Sequence, residues 1–393
     1  MSNRLYSRNA VLLAKIETTE GSDVSPDAGT NAVLVSDLSI EPLAGSEVDL
    51  AYIRPYLGIS PSLRVENYVT LSFTVDLAGT ATAGTAAPWG PLIRGCAFAE
   101  TLTESPVTGA AQAGAASTIT LAAGASSVDG AYVGASISYT TGGTDFGAKR
   151  TIIAYNGATQ IATVNKAWDT NPGASSGYSI GSNATYLPVS SGFESLTFYY
   201  NISGVRHKLF GSRGSLSLDL TANSRPAMKF NFTGVYGGVA DADESKPVFT
   251  AFQSPQTVGS TNTKALIAGK QADGSATGVQ LMKFDLDLGL AVKHRQLIGA
   301  AGVVLTDRQP KGNVSIEATT VTFNDWFGQV LASTKSPLLI ENGLVEGNTV
   351  SVLLPNAQLA EPKYSDSDGI AMLDASVRAL PLVGNDEVRI VVK

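Results

Sequence analysis

Apolar and polar residues alternate along most of this chain, a pattern typical of β-strands with one buried and one solvated face. The longest example is 63–77, where seven of the eight odd positions are apolar and the even positions are mainly polar. At about 3.3 Å per residue, one strand over this segment would be about 50 Å long. The pattern therefore predicts a β protein with at least one unusually long strand.

The same alternation recurs further along the chain. Segments 215–220 and 227–233 flank a turn-rich loop, which predicts a hairpin. Segment 282–292 alternates in the same way, and we predict that it pairs with 313–323. Further strands are predicted at 32–40, 194–202, 349–354, 370–379 and 387–392. The sheet is expected to be mainly antiparallel.

Helical signals are few. Proline precedes helically spaced apolar residues in 88–99, and Asn324 is a candidate cap for a second short helix. The apolar stripe of the second helix consists of Trp326, Phe327, Val330 and Leu331. We interpret both stripes as core packing and not as a ligand site.

Segment 107–186 differs in composition from the rest, with six charged residues in 80. Its Ala/Gly/Ser-rich flanks, 108–117 and 171–183, predict flexible linkers. Short strands are predicted between them at 117–121, 132–140, 149–155, 160–166 and 178–180. We interpret the segment as an inserted small β-domain. A long disordered loop is the alternative, which the apolar residues within the segment disfavour.

Composition narrows the function classes. The chain has 34 acidic and 27 basic residues, a net charge of −7, which is the wrong sign for gripping phosphate backbones. Cys96 is the only cysteine, so the chain has no internal disulfide. The start of the chain has only a four-residue apolar stretch, too short for a signal peptide core. We expect a soluble protein made in the cytoplasm, without membrane insertion.

The search for catalytic chemistry finds no constellation. His207 and His294 lack metal-ligand spacing. Residues 173–177 match a nucleophile elbow around Ser175 but lie in a Gly/Ser-rich linker, so we interpret the match as coincidence. Residues 366–369 resemble a piece of a calcium loop without its remaining ligands, and a turn explains them better. No catalytic, cofactor-binding or metal residue is predicted, no cofactor is expected, and an enzyme is not expected.

A specific resemblance is carried by runs of residues on both sides of the insert. These runs are KIETT at 15–19, LVSDL at 34–38, IRPYLG at 53–58, DLAGT at 76–80, GTAAPWGPLIRGCAFAET at 84–101, KYSDSDGI at 363–370 and GNDEVRI at 384–390. In them the chain resembles the tail tube (major tail) proteins of long-tailed, non-contractile (siphovirus-type) bacteriophages. The resemblance covers about half of the chain and includes no catalytic signature.

The resemblance implies a mainly β, tail-tube-like sandwich or barrel with one or two short helices, formed by 1–106 and 187–393. The inserted β-domain 107–186 would lie on its outer surface. Subunits would form homohexameric rings that stack around a tape measure protein, contact tail terminator and distal tail proteins, and later conduct phage DNA without binding it specifically. The expected location is the virion tail, and the host cytoplasm during assembly.

Two sets of residues are candidate sites in such a tube. A polar strand face would line the channel, and its acidic residues would repel passing phosphates. These candidates are Glu66, Asp76, Asp219, Asp285 and Asp287, partly balanced by Arg64, Lys229 and Lys283. The alternative is an ordinary solvated face on the outside of the protein.

Contacts between successive rings are predicted in two turn-rich segments, the N-terminal arm 2–9 and the proline-rich stretch 41–61. The candidate residues are Glu47, Asp49, Tyr52, Arg54 and Tyr56. The alternative for both segments is a surface loop without a partner.

Other β-rich proteins remain as alternative functions. A tail fibre or capsid decoration protein would also suit the insert. A carbohydrate-binding surface adhesin would share the composition but is expected to carry an export signal.

Overall fold

The computed structural model describes residues 4–141, 147–174, 176–242, 246–274 and 278–393. Strands dominate these residues, and the described part contains two short helices. The predicted mainly β class is confirmed. The predicted antiparallel pairing is found both in hairpins with short connections, such as β17–β18 and β26–β27, and in pairs far apart in the chain, such as β21–β24 and β24–β27.

The strands of the first half of the chain are β1 (Ala10–Ile16), β2 (Ala32–Val33), β3 (Ser36–Ala44), β4 (Glu47–Asp49), β5 (Ser62–Arg64), β6 (Tyr68–Asp76), β7 (Phe98–Thr103), β8 (Val107–Ala110), β9 (Ala113–Ala115), β10 (Thr118–Thr120), β11 (Ser136–Thr141), β12 (Lys149–Asn156), β13 (Ile161–Val164) and β14 (Gly177–Ile180). Helix α1 (Gly90–Arg94) lies between β6 and β7.

The strands of the second half are β15 (Asn183–Pro188), β16 (Leu196–Ile202), β17 (Val205–Thr221), β18 (Ala227–Asp241), β19 (Thr263–Ile267), β20 (Lys270–Ala272), β21 (Leu281–Asp287), β22 (Leu290–Leu297), β23 (Ala300–Arg308), β24 (Lys311–Glu317), β25 (Lys335–Asn342), β26 (Val350–Ser367), β27 (Ile370–Ala379) and β28 (Arg389–Val392). Helix α2 (Trp326–Leu331) lies between β24 and β25.

The first layer is a broad sheet in the order β3–β6–β18–β17–β21–β24–β27–β26. Its centre is the long hairpin β17–β18, where the predicted hairpin is confirmed and extends further in both strands. The first half of β17 pairs with β16, which pairs with β1, and the second half pairs with β21. Bulges lie between these two halves of β17. A bulge bends its strand, so the two halves can pair with different neighbours.

The second layer runs in the order β7–β15–β28–β26–β25–β19–β20. Strand β26 belongs to both layers, since its first half pairs with β25 and β28 and its second half pairs with β27. The register of β26 shifts between Ala360 and Lys363, where Glu361 has a φ of 52°. The change of layer lies earlier in the strand, where the pairing with β25 shifts register between Leu354 and Ala357 and the pairing with β27 begins.

The main core fills the space between the two layers. Phe73 of β6 stacks on Phe230 and Phe232 of β18, with ring centroids 5.5 and 5.9 Å apart. Val388 and the alternate residues Ile390 and Val392 of β28, which follows it, enter the same core from the second layer. The facing side chains of the two layers therefore form the core of a β-sandwich.

A separate seven-stranded sheet, in the order β8–β14–β11–β12–β13–β10–β9, forms a third layer. It packs on the outer face of the second layer, because its cluster of buried residues includes Leu266, Leu339 and Leu353. These leucines alternate with residues that face the main core. The second layer is consequently buried on both faces.

A buried polar network joins the third layer to the second. The Nζ of Lys393 lies 2.5 Å from Oε1 of Glu341 and donates to Oγ1 of Thr151 at 2.7 Å. Thr151 donates in turn to Glu341 at 2.7 Å. Arg389 donates to the carbonyls of Gly130 and Val133 at 2.8 Å. The insert is thus fixed to the body by charged groups as well as by leucines.

Several sequence predictions need correction. The single strand predicted at 63–77 is two strands, β5 and β6, in different sheets. The predicted strand 282–292 is also divided, because Gly289 has a φ of 59° between β21 and β22. The segments predicted as linkers contain β8 and β9, whereas the strand predicted at 178–180 is present as β14.

The cap of α2 is Asp325 and not Asn324, since the Asp325 carboxylate accepts from the backbone N–H of Gly328 at 2.8 Å.

Candidate assembly surfaces

Four of the five predicted channel residues lie on one face of the first layer. Asp76 is opposite Ala227, which is opposite Asp219, which is opposite Asp285 in the next strand. Directly opposed residues share a face, and Asp287 joins them two positions along β21. The sheet therefore places these carboxylates in one region, which we call the polar face.

The charges of the polar face are mixed. Asp76 pairs with Arg225 at 3.2 Å, and Asp285 pairs with Lys283 at 3.3 Å. Further charges come from residues opposed across the strands: Asp287 and Lys311, Lys311 and Arg378, Asp374 and Lys363. The acidic excess expected from the sequence is therefore offset by basic residues of β24, β26 and β27, which the sequence analysis did not place beside β21.

Glu66 lies apart from the polar face. Its Oε1 is 2.8 Å from Nδ1 of His294 in β22, and the His294 ring stacks on Tyr68 at 4.9 Å. This contact joins the start of β6 to the hairpin β22–β23. Glu66 is a structural contact between two projecting elements and not a member of the row formed by Asp76, Asp219 and Asp285.

The predicted ring contacts lie on a projecting segment, residues 46–66, which we call the arm. Its stem is the two-stranded ribbon β4–β5, separate from the main sheet. At its base, Arg64 donates to the carbonyls of Leu43 and Ala44 and to Oδ1 of Asn67. Gly45 has a φ of 132°, and a Cβ there would lie 2.1 Å from the carbonyl oxygen of Glu66. The base therefore requires glycine and is well defined.

All five candidate contact residues are on the arm. Glu47 pairs with Arg64 at 3.4 Å and accepts from Ser62 at 2.7 Å, so it helps to hold the stem. Asp49 is exposed in β4. Tyr52, Arg54 and Tyr56 lie in the distal loop, with the Arg54 guanidinium 6.0 Å from the Tyr56 ring. Residues 2 and 3 of the predicted N-terminal arm 2–9 lie outside the described residues.

The distal loop also carries apolar side chains that the sequence analysis did not single out. Ile53, Leu57 and Ile59 are essentially fully exposed. The sequence shows these bulky aliphatic residues within a proline-rich stretch, but they do not follow the alternating pattern from which the strands were predicted.

A second projecting hairpin, β22–β23, resembles the arm in this respect. Its strands pair only with each other, and Ile298 at its tip is fully exposed beside the exposed Leu297. Sequence reasoning placed the start of this segment in a continuous strand and did not predict the hairpin. Among the described residues, the arm and the hairpin β22–β23 thus each end in an exposed apolar tip.

The described His, Cys, Asp and Glu side chains include the groups that could bind a metal ion or change their pKa on burial. None of their His, Cys, Asp and Glu side chains form a group of three or more suited to a metal ion. Burial lowers the pKa of His207 and raises the pKa of the Cys96 thiol well above its ordinary value. Ser175 lies outside the described residues. Within the described ranges, neither helix has the length and apolar character needed to cross a membrane.

These features define a mainly β protein with three stacked sheets and two projecting apolar tips. No family model matches the chain, and neither does any curated protein.

Proposed function

We propose that this chain is a structural subunit that assembles with copies of itself into stacked rings, forming the tail tube of a siphovirus-type bacteriophage. The observation that carries the proposal is the arm, whose distal loop exposes Ile53, Leu57 and Ile59 to water. Burying one Ile or Leu side chain fully is worth about 1.5–3 kcal/mol. Three such residues would supply about 5–9 kcal/mol per arm on contact with a neighbouring subunit.

The shape of the arm supports a protein partner. A loop with no core function gains nothing from fully exposed Ile53, Leu57 and Ile59, which lower solubility. The base of the arm is fixed by Arg64 and Gly45, so less conformational entropy is lost when the distal loop orders on a partner. Repetition of one such contact between identical subunits generates rings or stacks.

The polar face of the first layer is our candidate for the channel lining. Its alternating charges present no extended basic surface, so the phosphates of passing DNA would find no site for retention. This differs from our expectation of a repulsive acidic lining, because Lys311, Lys363 and Arg378 offset the carboxylates. In the proposed tube, DNA slides because the face is balanced.

In this role the protein would contact the tape measure protein inside the tube and the terminator and distal tail proteins at its ends. It would reside in the virion tail, after assembly in the host cytoplasm.

Electron microscopy of the purified chain tests the assembly proposal. We expect tubes with a regular repeat at high protein concentration. The double substitution Ile53→Ser and Leu57→Ser should leave a folded protein that forms no tubes. The matched control is Leu382→Ser with Val383→Ser, an exposed apolar pair on a loop of the body, which should assemble normally. Isolated trimers would instead favour a tail fibre, and monomers at every concentration would contradict the proposal.

The channel role has its own test. Substituting Asp76, Asp285 and Asp287 together by Asn would leave Lys229, Lys283 and Lys311 uncompensated. We expect the resulting tubes to retain DNA at low salt and release it as salt is raised. Unchanged DNA retention in these tubes would place the polar face outside the channel.

A further inference from the structure

A cleft of about 330 Å³ lies where the third layer meets the second. The third layer contributes Lys149 and Lys166 to its walls, and the second contributes Lys264 and Gln271. Lys393 and Glu341 form part of its floor. We call this space the junction cleft. Its volume lies within the range of small-molecule sites in proteins.

The junction cleft has the opposite charge to the rest of the protein. Its basic lining residues are Lys149, Arg150, Lys166, Lys264 and Lys393. Three acidic residues, Asp273, Glu341 and Glu346, also line it. The lining carries five positive and three negative groups, and Arg150 also pairs at 4.0 Å with Asp169, which lies just outside the lining. With Asp169 counted, the cleft has a net charge of +1 on a chain whose net charge is −7. A small anion would be drawn to this cleft more than to the surrounding surface.

Of the described lysines that line the junction cleft, one does not form an ion pair. Lys149 pairs with Glu346 at 2.7 Å, and Lys166 pairs with Asp273 at 3.0 Å. Lys264 is directly opposite Glu341 in the β19–β25 pair, but the Glu341 carboxylate is held by Lys393. Among the described residues, Lys264 has no ion-pair partner.

The charges of Lys149 and Lys264 both act on the ammonium group of Lys393 at the floor of the cleft. Burial lowers the pKa of Lys393, Glu341 opposes this effect, and the charges of Lys149 and Lys264 lower it further. Positive charges from both walls therefore converge on the floor of the cleft. An anion placed between these walls would relieve their mutual repulsion.

We propose that the junction cleft binds the phosphate group of a small phosphorylated polyol. Lysines present point charges suited to phosphate, and Lys264, Lys149 and Lys166 lie around the space it would occupy. Leu344 is the only lining side chain that is apolar, so the remainder of the ligand must be polar. The Asn165 Oδ1 accepts from the backbone N–H of Thr151 and the Gln271 Nε2 donates to the carbonyl of Asn165, so the Nδ2 of Asn165 and the Oε1 of Gln271 are the amide atoms left for its hydroxyls. The inference is independent of ring formation.

Isothermal titration of the full chain at low salt tests this site, with glycerol 3-phosphate, inorganic phosphate and glycerol as probes. We expect binding of both phosphates and none of glycerol. Stronger binding of the ester would assign a polyol phosphate, and equal binding would overturn that assignment in favour of free phosphate. Lys264→Gln should weaken binding about two- to fivefold, because one exposed charge contact is lost.

Lys335→Gln is the matched control, since Lys335 is exposed in the same sheet but does not line the cleft. It should bind like the unmodified protein. Equal weakening by both substitutions would mean general charge attraction and overturn the site. Absence of heat with either phosphate would overturn it as well. Both lysines are exposed, so neither substitution should prevent folding.

Discussion

Substituting Glu341 by Gln tests whether the buried ion pair holds the third layer in place. The change leaves the Lys393 ammonium, only 4% exposed, without its counter-charge. Removing one partner of a buried ion pair costs about 3–5 kcal/mol, since the remaining charge is desolvated and unpaired. We expect the free energy of unfolding to fall by an amount in this range.

The exposed pair Lys149–Glu346 provides the control within the same interface. Its side chains are 57% and 62% exposed, and the Nζ of Lys149 lies 2.7 Å from the Oε2 of Glu346. Glu346→Gln should cost less than about 1 kcal/mol, because solvent screens an exposed pair. Urea denaturation, followed by fluorescence, measures both variants. The buried Trp168 reports on the third layer, since it packs on Tyr139 with ring centroids 4.5 Å apart.

The stability that the Glu341–Lys393 pair contributes should also depend on pH in a defined direction. Burial alone would raise the pKa of Glu341, but Lys393 and the hydroxyls of Thr151 and Ser351 hold it below the ordinary value of 4.5. The stability supplied by its ionised form is therefore present above pH 4.5 and is lost as the pH falls through the lower pKa of the folded state. The difference in the free energy of unfolding between the unmodified protein and Glu341→Gln should therefore become smaller as the pH falls.

Combining Glu341→Gln with Lys393→Met should recover much of the loss, since no buried charge then remains unpaired. If Glu341→Gln costs no more than Glu346→Gln, the reasoning from desolvation is refuted.

Three other substitutions or reactions give independent checks. Gly45→Ala should displace the base of the arm, because the new Cβ would meet the Glu66 carbonyl, and protease cleavage within the arm should become faster. Cys96 should not react with a thiol reagent in the folded protein and should react fully in urea, because it is buried and its pKa is raised. Asp23→Asn should remove a stabilisation that is present above pH 3.8 and is lost as the pH falls. Burial raises the pKa of Asp23, but hydrogen bonds, of which that from Tyr199 is the largest, hold it below 3.8. Acid denaturation of both proteins measures the difference.

Alternation in the sequence predicted well those strands that have one solvated face. Strand β27 has the bounds predicted for it, and the hairpin β17–β18 lies where expected. In both cases a polar face next to an apolar face sets the register. The same rule placed Asp76, Asp219 and Asp285 on one face before their pairing was known.

Alternation failed at 63–77 because the chain leaves the sheet within an apparently regular pattern. Asn67 interrupts the odd apolar positions, and its side chain accepts from Nε of Arg64 at 2.6 Å. Val65 and Leu63 are exposed on the arm although they continue the apolar series. Periodicity reports what a strand would bury, and it cannot report that a segment projects into solvent.

The second layer shows a different limit. Leu338, Leu339 and Ile340 are all buried, the middle one against the third layer and its neighbours against the main core. A strand buried on both faces shows no alternation, so sequence alone does not distinguish it from a buried helix. The charges of the junction cleft were equally hidden, because they come from segments that are far apart in the chain.

The insert is separable in its connections but not in its packing. Thr103 and Asn183 are paired neighbours in β7 and β15, so the chain leaves and returns at adjacent points of one hairpin. A short turn would close this hairpin without disturbing the second layer. Yet the face beneath the insert carries Leu339, Leu353 and the buried Lys393, none of which suits contact with water. The present sandwich therefore depends on its third layer, and the junction cleft exists only because the two remain in contact.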